Sequence, residues 1–185
     1  GSSGGRYSLL NHFISELGHT AESEASAVMN IGMLVGGILF GLFMVGVALH
    51  LRGILRGVML VGGVLVGASG GLVGIFPMNV DLASHAVVAI GFFGVALLLL
   101  AIFSLATALA RQPTYPRWMS ALCLPAIVCS AVFLYLLVST GAQALVAPVG
   151  ERDPFLLITL AEWGALIGVL FWVMAIAIWR ARQVE

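Results

Sequence analysis

The stretch GVMLVGGVLVGASGGLVGIF, Gly57 to Phe76, contains neither a charged residue nor a proline. A membrane-spanning α-helix needs about 20 consecutive apolar residues to cross the hydrocarbon core of a bilayer. The stretch therefore predicts a transmembrane helix. Its glycines predict close packing, because a missing side chain lets two helix backbones approach each other. Its G-x-x-x-G pairs are Gly63/Gly67, Gly67/Gly71 and Gly70/Gly74.

Four further apolar stretches meet the same length requirement on either side of this one. They cover residues 27–49, 83–110, 118–140 and 154–179. Of the 185 residues, 61% are hydrophobic and 9% are charged, whereas soluble domains carry about 25% charged residues. The sequence therefore predicts an all-α polytopic transmembrane helix bundle. It has five spans within residues 27–182, after a polar segment at residues 1–26.

The positions of the arginines predict the orientation of the bundle. Five spans place alternate connections on alternate sides of the membrane. One side then receives six of the eight basic residues: Arg52, Arg56, Arg111, Arg117, Arg180 and Arg182. Cytoplasmic loops are rich in arginine and lysine, so we expect this side and the C-terminus to be cytoplasmic and Tyr7–Ser26 to be extracytoplasmic. An outer N-terminus has to be carried across, and we expect a sixth helix before Gly1 in the full gene product.

The glycine pairs also indicate how the chain could associate with other membrane proteins. Further pairs occur at Gly32/Gly36, Gly37/Gly41 and Gly164/Gly168. Such pairs either pack helices within one bundle or join the chain to a second copy or a larger membrane complex. A net charge of zero offers no basic patch for nucleic acid.

Polar residues concentrate at the predicted outer side. The candidates are His12, Ser15, Glu16 and His19 in the N-terminal segment, Asp81 and His85 around the start of the third span, and Glu162 in the last span. Asp81 and His85 lie four residues apart and share a face if that turn is helical. Glu162 lies roughly 12 Å below the outer surface, where a carboxyl group is costly and needs a polar partner. We expect these residues to form an outer-face pocket.

This set of residues leaves three interpretations open. The first is a pocket that binds a membrane lipid or a similar amphiphile. The second is a metal-dependent membrane hydrolase, with zinc held by His12, His19, Asp81 and His85 and with Glu16 or Glu162 as general base. The sequence has no H-E-x-x-H motif to support such a site. The third is a structural subunit of a larger membrane complex, with polar side chains satisfying the loop backbone near the membrane.

Two motifs resemble a known family. The segment YSLLNHFISELG, residues 7–18, carries an I-S-[DE]-L-G motif after an aromatic residue and a polar turn. The segment GIFPMNVDLASHAVVAIGFF, residues 74–93, carries a G-x-F-P turn, an acid and a histidine that opens a helix. Both resemble the membrane family called domain of unknown function 998. More remotely, they resemble six-helix proteins related to damage-regulated autophagy modulators and to a glycolipid-anchor remodelling factor.

The resemblance implies a six-helix bundle with both termini in the cytoplasm. Its motifs match this chain at Ser15, Glu16, Gly18, Pro77, Asp81 and His85. His12 and His19 have no place in the pattern, which weakens a zinc site that needs them. The family name carries no activity, and the remote relatives imply work on lipids without a defined catalytic residue.

Overall fold

A computed structural model describes residues 7–111, 114–140 and 151–183. Residues 1–6 of the predicted polar segment lie outside the described residues. The described chain forms a short 3₁₀-helix, Ile14–Gly18, and five α-helices. These are α1 Ser26–Leu49, α2 Gly53–Ile75, α3 Leu82–Leu109, α4 Trp118–Thr140 and α5 Leu157–Ala181. Each α-helix is long and apolar enough to cross a membrane, which confirms the predicted transmembrane bundle and makes the chain an integral membrane protein.

The turn between α1 and α2 is shorter than the sequence predicted. Gly53 has a φ of 60°, a left-handed conformation that glycine adopts without a steric penalty. The chain therefore reverses within three residues, and α2 begins at Gly53 instead of residue 57. Arg56 consequently belongs to the first turns of α2 and not to the connection.

The last helix begins later than predicted, at Leu157 instead of residue 154. The backbone N–H of Leu156 donates a hydrogen bond to the carbonyl of Leu10, at 2.7 Å. This long-range bond holds Leu156 in an extended conformation. The residues before α5 therefore pair with the N-terminal segment and do not extend the helix.

Consecutive helices pack side by side, and α1 and α2 form the closest pair. A Cβ atom added to Gly37 of α1 would lie closer than 3.0 Å to the backbone of Gly67 and Gly71 on α2. A Cβ atom added to Gly67 would lie equally close to the carbonyl oxygen of Gly37. The glycine pairs of the second span therefore pack helices within the bundle.

One glycine pair of α1 points away from the neighbouring described helices. Gly32 and Gly36 of α1 have no described atom within 4 Å of where a Cβ would lie. Association with a second copy or a larger complex through this face stays a prediction, and the mass of the protein in mild detergent tests it.

Aromatic residues bring α5 into the centre of the bundle. Trp172 is fully buried, and its ring packs edge-on against Phe103 of α3, with ring centroids 5.1 Å apart. It also packs against Phe43 of α1, at 6.5 Å. This packing fixes the rotation of α5. Glu162 lies ten residues earlier, close to three turns of helix, so it also points inward.

Two adjacent glycines test the α1–α2 contact. We expect Gly37→Ala to lower the free energy of unfolding by about 1–3 kcal/mol, because the new methyl group meets backbone that cannot move aside. Gly36→Ala is the matched control. It has open space and gains helix propensity of about 1 kcal/mol, so it should be neutral or stabilising. Thermal unfolding in detergent measures both, and equal midpoints for the two variants would contradict the packing described.

Candidate functional site

The N-terminal segment covers one end of the bundle. We call residues 7–20 the lid, the covered end the lid end, and the opposite end the arginine end. Side chains of α5 attach to the lid backbone. Thr159 donates a hydrogen bond from Oγ1 to the carbonyl of Leu10, at 3.0 Å. Trp163 donates from Nε1 to the carbonyl of His12, at 3.2 Å.

Glu162 fastens the centre of the lid. Its Oε2 accepts a hydrogen bond from the backbone N–H of Ile14, at 2.7 Å, and the N–H of Ser15 also donates to its carboxyl group. These are the first N–H groups of the 3₁₀-helix, and the first N–H groups of a helix have no partner within it. Glu162 is only 6% exposed. The buried carboxyl group and the unpaired backbone donors therefore satisfy each other.

Glu16 fastens the same turn from the other side. Its Oε2 accepts the N–H of Phe13, at 3.0 Å, and its Oε1 pairs with the guanidinium of Arg152, at 2.5 Å. The two side chains are 13% and 5% exposed. The guanidinium also lies over the Phe13 ring, 5.6 Å from its centroid. The acid of the I-S-E-L-G motif thus joins the lid to the chain that leads into α5.

Two asparagines attach the far end of the lid. Asn30 of α1 donates from Nδ2 to the carbonyl of Gly18, at 3.0 Å. Asn79, between α2 and α3, accepts the N–H of Thr20 at 3.1 Å and donates to its hydroxyl at 2.9 Å. The lid is therefore bonded to α1, to α5 and to the α2–α3 connection.

His85 lies in the first turns of α3 and is 7% exposed. Its Nδ1 is 2.8 Å from the carbonyl oxygen of Phe76. A carbonyl only accepts, so Nδ1 carries the hydrogen and donates it. In the neutral ring Nε2 is then an acceptor. The histidine therefore joins the ends of α2 and α3 through its Nδ1.

A cavity of about 30 Å³, which we call the chamber, lies beneath the lid. Its polar lining consists of Ser15, His85 and Glu162. Its apolar lining includes Met29, Met33, Phe92, Phe93 and Leu166. A cavity needs roughly 10–15 Å³ to hold one water molecule. The chamber therefore has room for a water molecule or for a polar group of similar size.

The structure thus brings together three of the seven candidate residues and separates the others from them. Glu16 bonds to the Phe13 backbone and to Arg152, as described above. The His12 ring packs against Tyr7, with centroids 4.7 Å apart, and its Nδ1 lies 2.7 Å from the Asn11 Oδ1. His19 has a buried Nδ1 without a hydrogen-bond partner among the described residues.

Asp81 caps α3 and does not line the chamber. Its carboxylate accepts the N–H of Ser84, at 3.0 Å. Hydrogen bonds from Ser84 hold the pKa of Asp81 below its usual value, because they favour the charged form. The sequence predicted that Asp81 and His85 share a helix face. The backbone N–H of His85 donates to the carbonyl of Asp81, at 2.9 Å, and the Asp81 side chain caps the helix that begins at Leu82.

The predicted zinc ligands do not meet. Within residues 7–111, 114–140 and 151–183, no group of three or more His, Cys, Asp or Glu side chains is placed to hold a metal ion. His12, Asp81 and His85 each bond to protein groups in different places.

Sequence reasoning missed the residues that hold the lid: Asn30, Asn79, Arg152, Thr159 and Trp163. The sequence contained a clue to Arg152, because it is one of only two basic residues outside the predicted cytoplasmic side. Such a residue is a candidate partner for the acids on its own side. Tyr7 was also missed as a contact residue. Its hydroxyl donates to the carbonyl of Phe13, at 2.7 Å. Burial, followed by the nearby Glu162 and Glu16, raises the pKa of Tyr7.

The model of the family described as "Protein of unknown function (DUF998)" matches residues 1–179. The chain belongs to the DUF998 family. The match includes the lid and nearly all of the five helices. No curated protein and no solved structure matches the chain. The more remote similarity to damage-regulated autophagy modulators stays a prediction.

The Glu16–Arg152 pair gives a test of lid attachment in this DUF998 protein. We expect Glu16→Ala to speed amide hydrogen exchange of the lid by roughly ten- to a hundredfold, because a hydrogen bond to a charged group is worth about 1.5–3 kcal/mol. Exchange mass spectrometry of the peptide that contains residues 13–18 measures this. The α-helices should exchange as before.

Glu22→Ala is the matched control, because Glu22 is an exposed acid at the same end of the bundle. Lid exchange that is the same in Glu16→Ala, Glu22→Ala and the wild type would show that the ion pair does not hold the lid.

Proposed function

We propose that this protein binds a membrane lipid or a similar amphiphile at the lid end, with the polar tip of the ligand in the chamber. The observation that carries the proposal is the chamber itself, where Ser15, His85 and Glu162 line a cavity under a hydrogen-bonded lid. Buried polar side chains in a membrane protein are costly, and their usual reason is function.

The polar lining has spare hydrogen-bonding capacity. A carboxylate offers about four acceptor positions, and Glu162 uses two of them for the lid backbone. Among the described residues, His85 makes a hydrogen bond through Nδ1 alone. The Ser15 hydroxyl has no hydrogen-bond partner among the described residues. These groups can bind one small polar moiety together.

The apolar lining suits part of a hydrocarbon chain once the lid has moved. Met29 and Met33 line the α1 side of the chamber and Phe92 and Phe93 the α3 side. Methionine side chains are unbranched and polarisable and adapt to irregular surfaces. A ligand with one polar tip and an alkyl chain therefore matches the two kinds of lining.

The size of the chamber limits what enters while the lid is in place. A volume of about 30 Å³ holds a group comparable to a water molecule. A larger headgroup would require the lid to move. A ligand that replaced the hydrogen bonds of the lid with its own would release the lid and let it move. No observation among the described residues favours the hydrolase alternative.

The proposed site faces the extracytoplasmic side. The positive-inside rule supports this orientation, because the arginine end carries Arg52, Arg56, Arg111, Arg117, Arg180 and Arg182. A membrane-impermeant maleimide tests it in intact cells. It should label Glu22→Cys and spare Gln183→Cys until the cells are opened. Labelling of Gln183→Cys alone would reverse the orientation.

Co-purified lipid tests the binding itself. We expect native mass spectrometry to detect an amphiphile retained by the wild type. Ala89→Leu should retain less of it, because the larger side chain fills the chamber that Ala89 lines. Glu162→Gln and His85→Ala should change the composition of the retained lipid, because they alter the polar lining.

The matched control is His50→Ala. His50 lies at the arginine end, and its Nδ1 bonds to the carbonyl of Gly46, one turn earlier in the chain. Identical lipid spectra for the wild type, Ala89→Leu, Glu162→Gln and His85→Ala would refute the proposal.

A further inference from the structure

We infer that the polar tip accepted by the chamber is a primary ammonium group, so that the ligand is an amine-bearing amphiphile. The inference rests on the proposed function and names the ligand class for the same site. It follows from the hydrogen-bonding character, the charge and the size of the chamber.

The free groups of the chamber are mainly acceptors. The Glu162 carboxyl group has positions beyond those used by the lid. The neutral His85 ring presents Nε2 as an acceptor, because Nδ1–H is committed to Phe76. The Ser15 hydroxyl can accept as well as donate. An ammonium group has three N–H donors and no acceptor, which is the complement of this set.

The charge of the chamber disfavours an anionic tip. Among the described residues that line the chamber, Glu162 is the only acid, and neither lysine nor arginine is present. Arg152 is not among the residues that line the chamber, and its guanidinium is paired with Glu16. The arginines of the arginine end lie across a hydrocarbon core of about 30 Å. A phosphate or carboxylate would therefore face a carboxyl group without a described cation to balance it.

The size and the aromatic lining agree with an ammonium group. The cavity of about 30 Å³ accommodates a group the size of a water molecule. Phe92 and Phe93 both line it, and the face of an aromatic ring attracts a cation when it lies nearby. A quaternary ammonium headgroup is larger than the cavity and has no N–H to donate.

Three probes with the same chain length test the headgroup class. The full chain is placed in nanodiscs of zwitterionic lipid that contain dodecylamine, dodecanol or dodecanoate. Native mass spectrometry then measures how much of each is retained. We expect dodecylamine to be retained at least about tenfold more than dodecanoate, the factor expected for one hydrogen bond between charged groups.

Variants assign the preference to the chamber. Glu162→Gln keeps an acceptor for the lid and removes the ionisable carboxyl group that can pair with an ammonium, so it should abolish the preference for the amine. Glu22→Gln, which changes an exposed acid at the same end, should preserve it. Ala89→Leu should lower retention of all three probes.

The outcomes separate this inference from the proposed function. Equal retention of the three probes, lost in Ala89→Leu, would overturn the ammonium assignment and leave amphiphile binding intact. An amine preference that survives in Glu162→Gln would also overturn the assignment, because another group would then be its source. No retention of any probe above that in empty nanodiscs would overturn both.

Discussion

The hydrogen bond from the backbone of Ile14 to the carboxyl group of Glu162 is the interaction on which the lid end depends. A carboxyl group buried in a transmembrane helix is costly, and the first N–H groups of a helix have no partner of their own. The hydrogen bond from the Ile14 N–H to Glu162, 2.7 Å long, gives both groups a partner. Three further attachments of the lid, at Arg152, Thr159 and Trp163, come from the same helix or the chain just before it. Asn30 and Asn79 attach its far end.

The helix packing and the lid together form the chamber. The α1 helix packs mainly on α2, and its Met29 and Met33 line the chamber. Trp172 sets the rotation of α5 and directs Glu162 to the same place. His85 ties the end of α2 to α3. Four helices and the lid therefore meet around a small cavity.

Much of the fold was predictable because hydrophobicity and length alone define a transmembrane helix. The helix ends were not, since they depend on distant partners such as Leu10 for Leu156 and on the left-handed Gly53. Among the candidate residues, Ser15, His85 and Glu162 line one cavity, and their role as an outer-face pocket stays a prediction. His12, His19 and Asp81 share the same end of the bundle but have separate contacts, and no spacing in the sequence distinguishes those two situations. Asn30, Asn79 and Trp163 bind backbone atoms, and a backbone partner leaves no pattern in the side chains.

The most direct measurement is amide hydrogen exchange at Ile14, resolved by nuclear magnetic resonance in the wild type, Glu162→Gln and Glu162→Leu. A glutamine oxygen still accepts the hydrogen bond, whereas leucine has a similar size and accepts none. The account predicts slow exchange in the wild type, slightly faster exchange in Glu162→Gln and loss of protection in Glu162→Leu. Equal protection in all three proteins would contradict the claim that Glu162 fastens the lid.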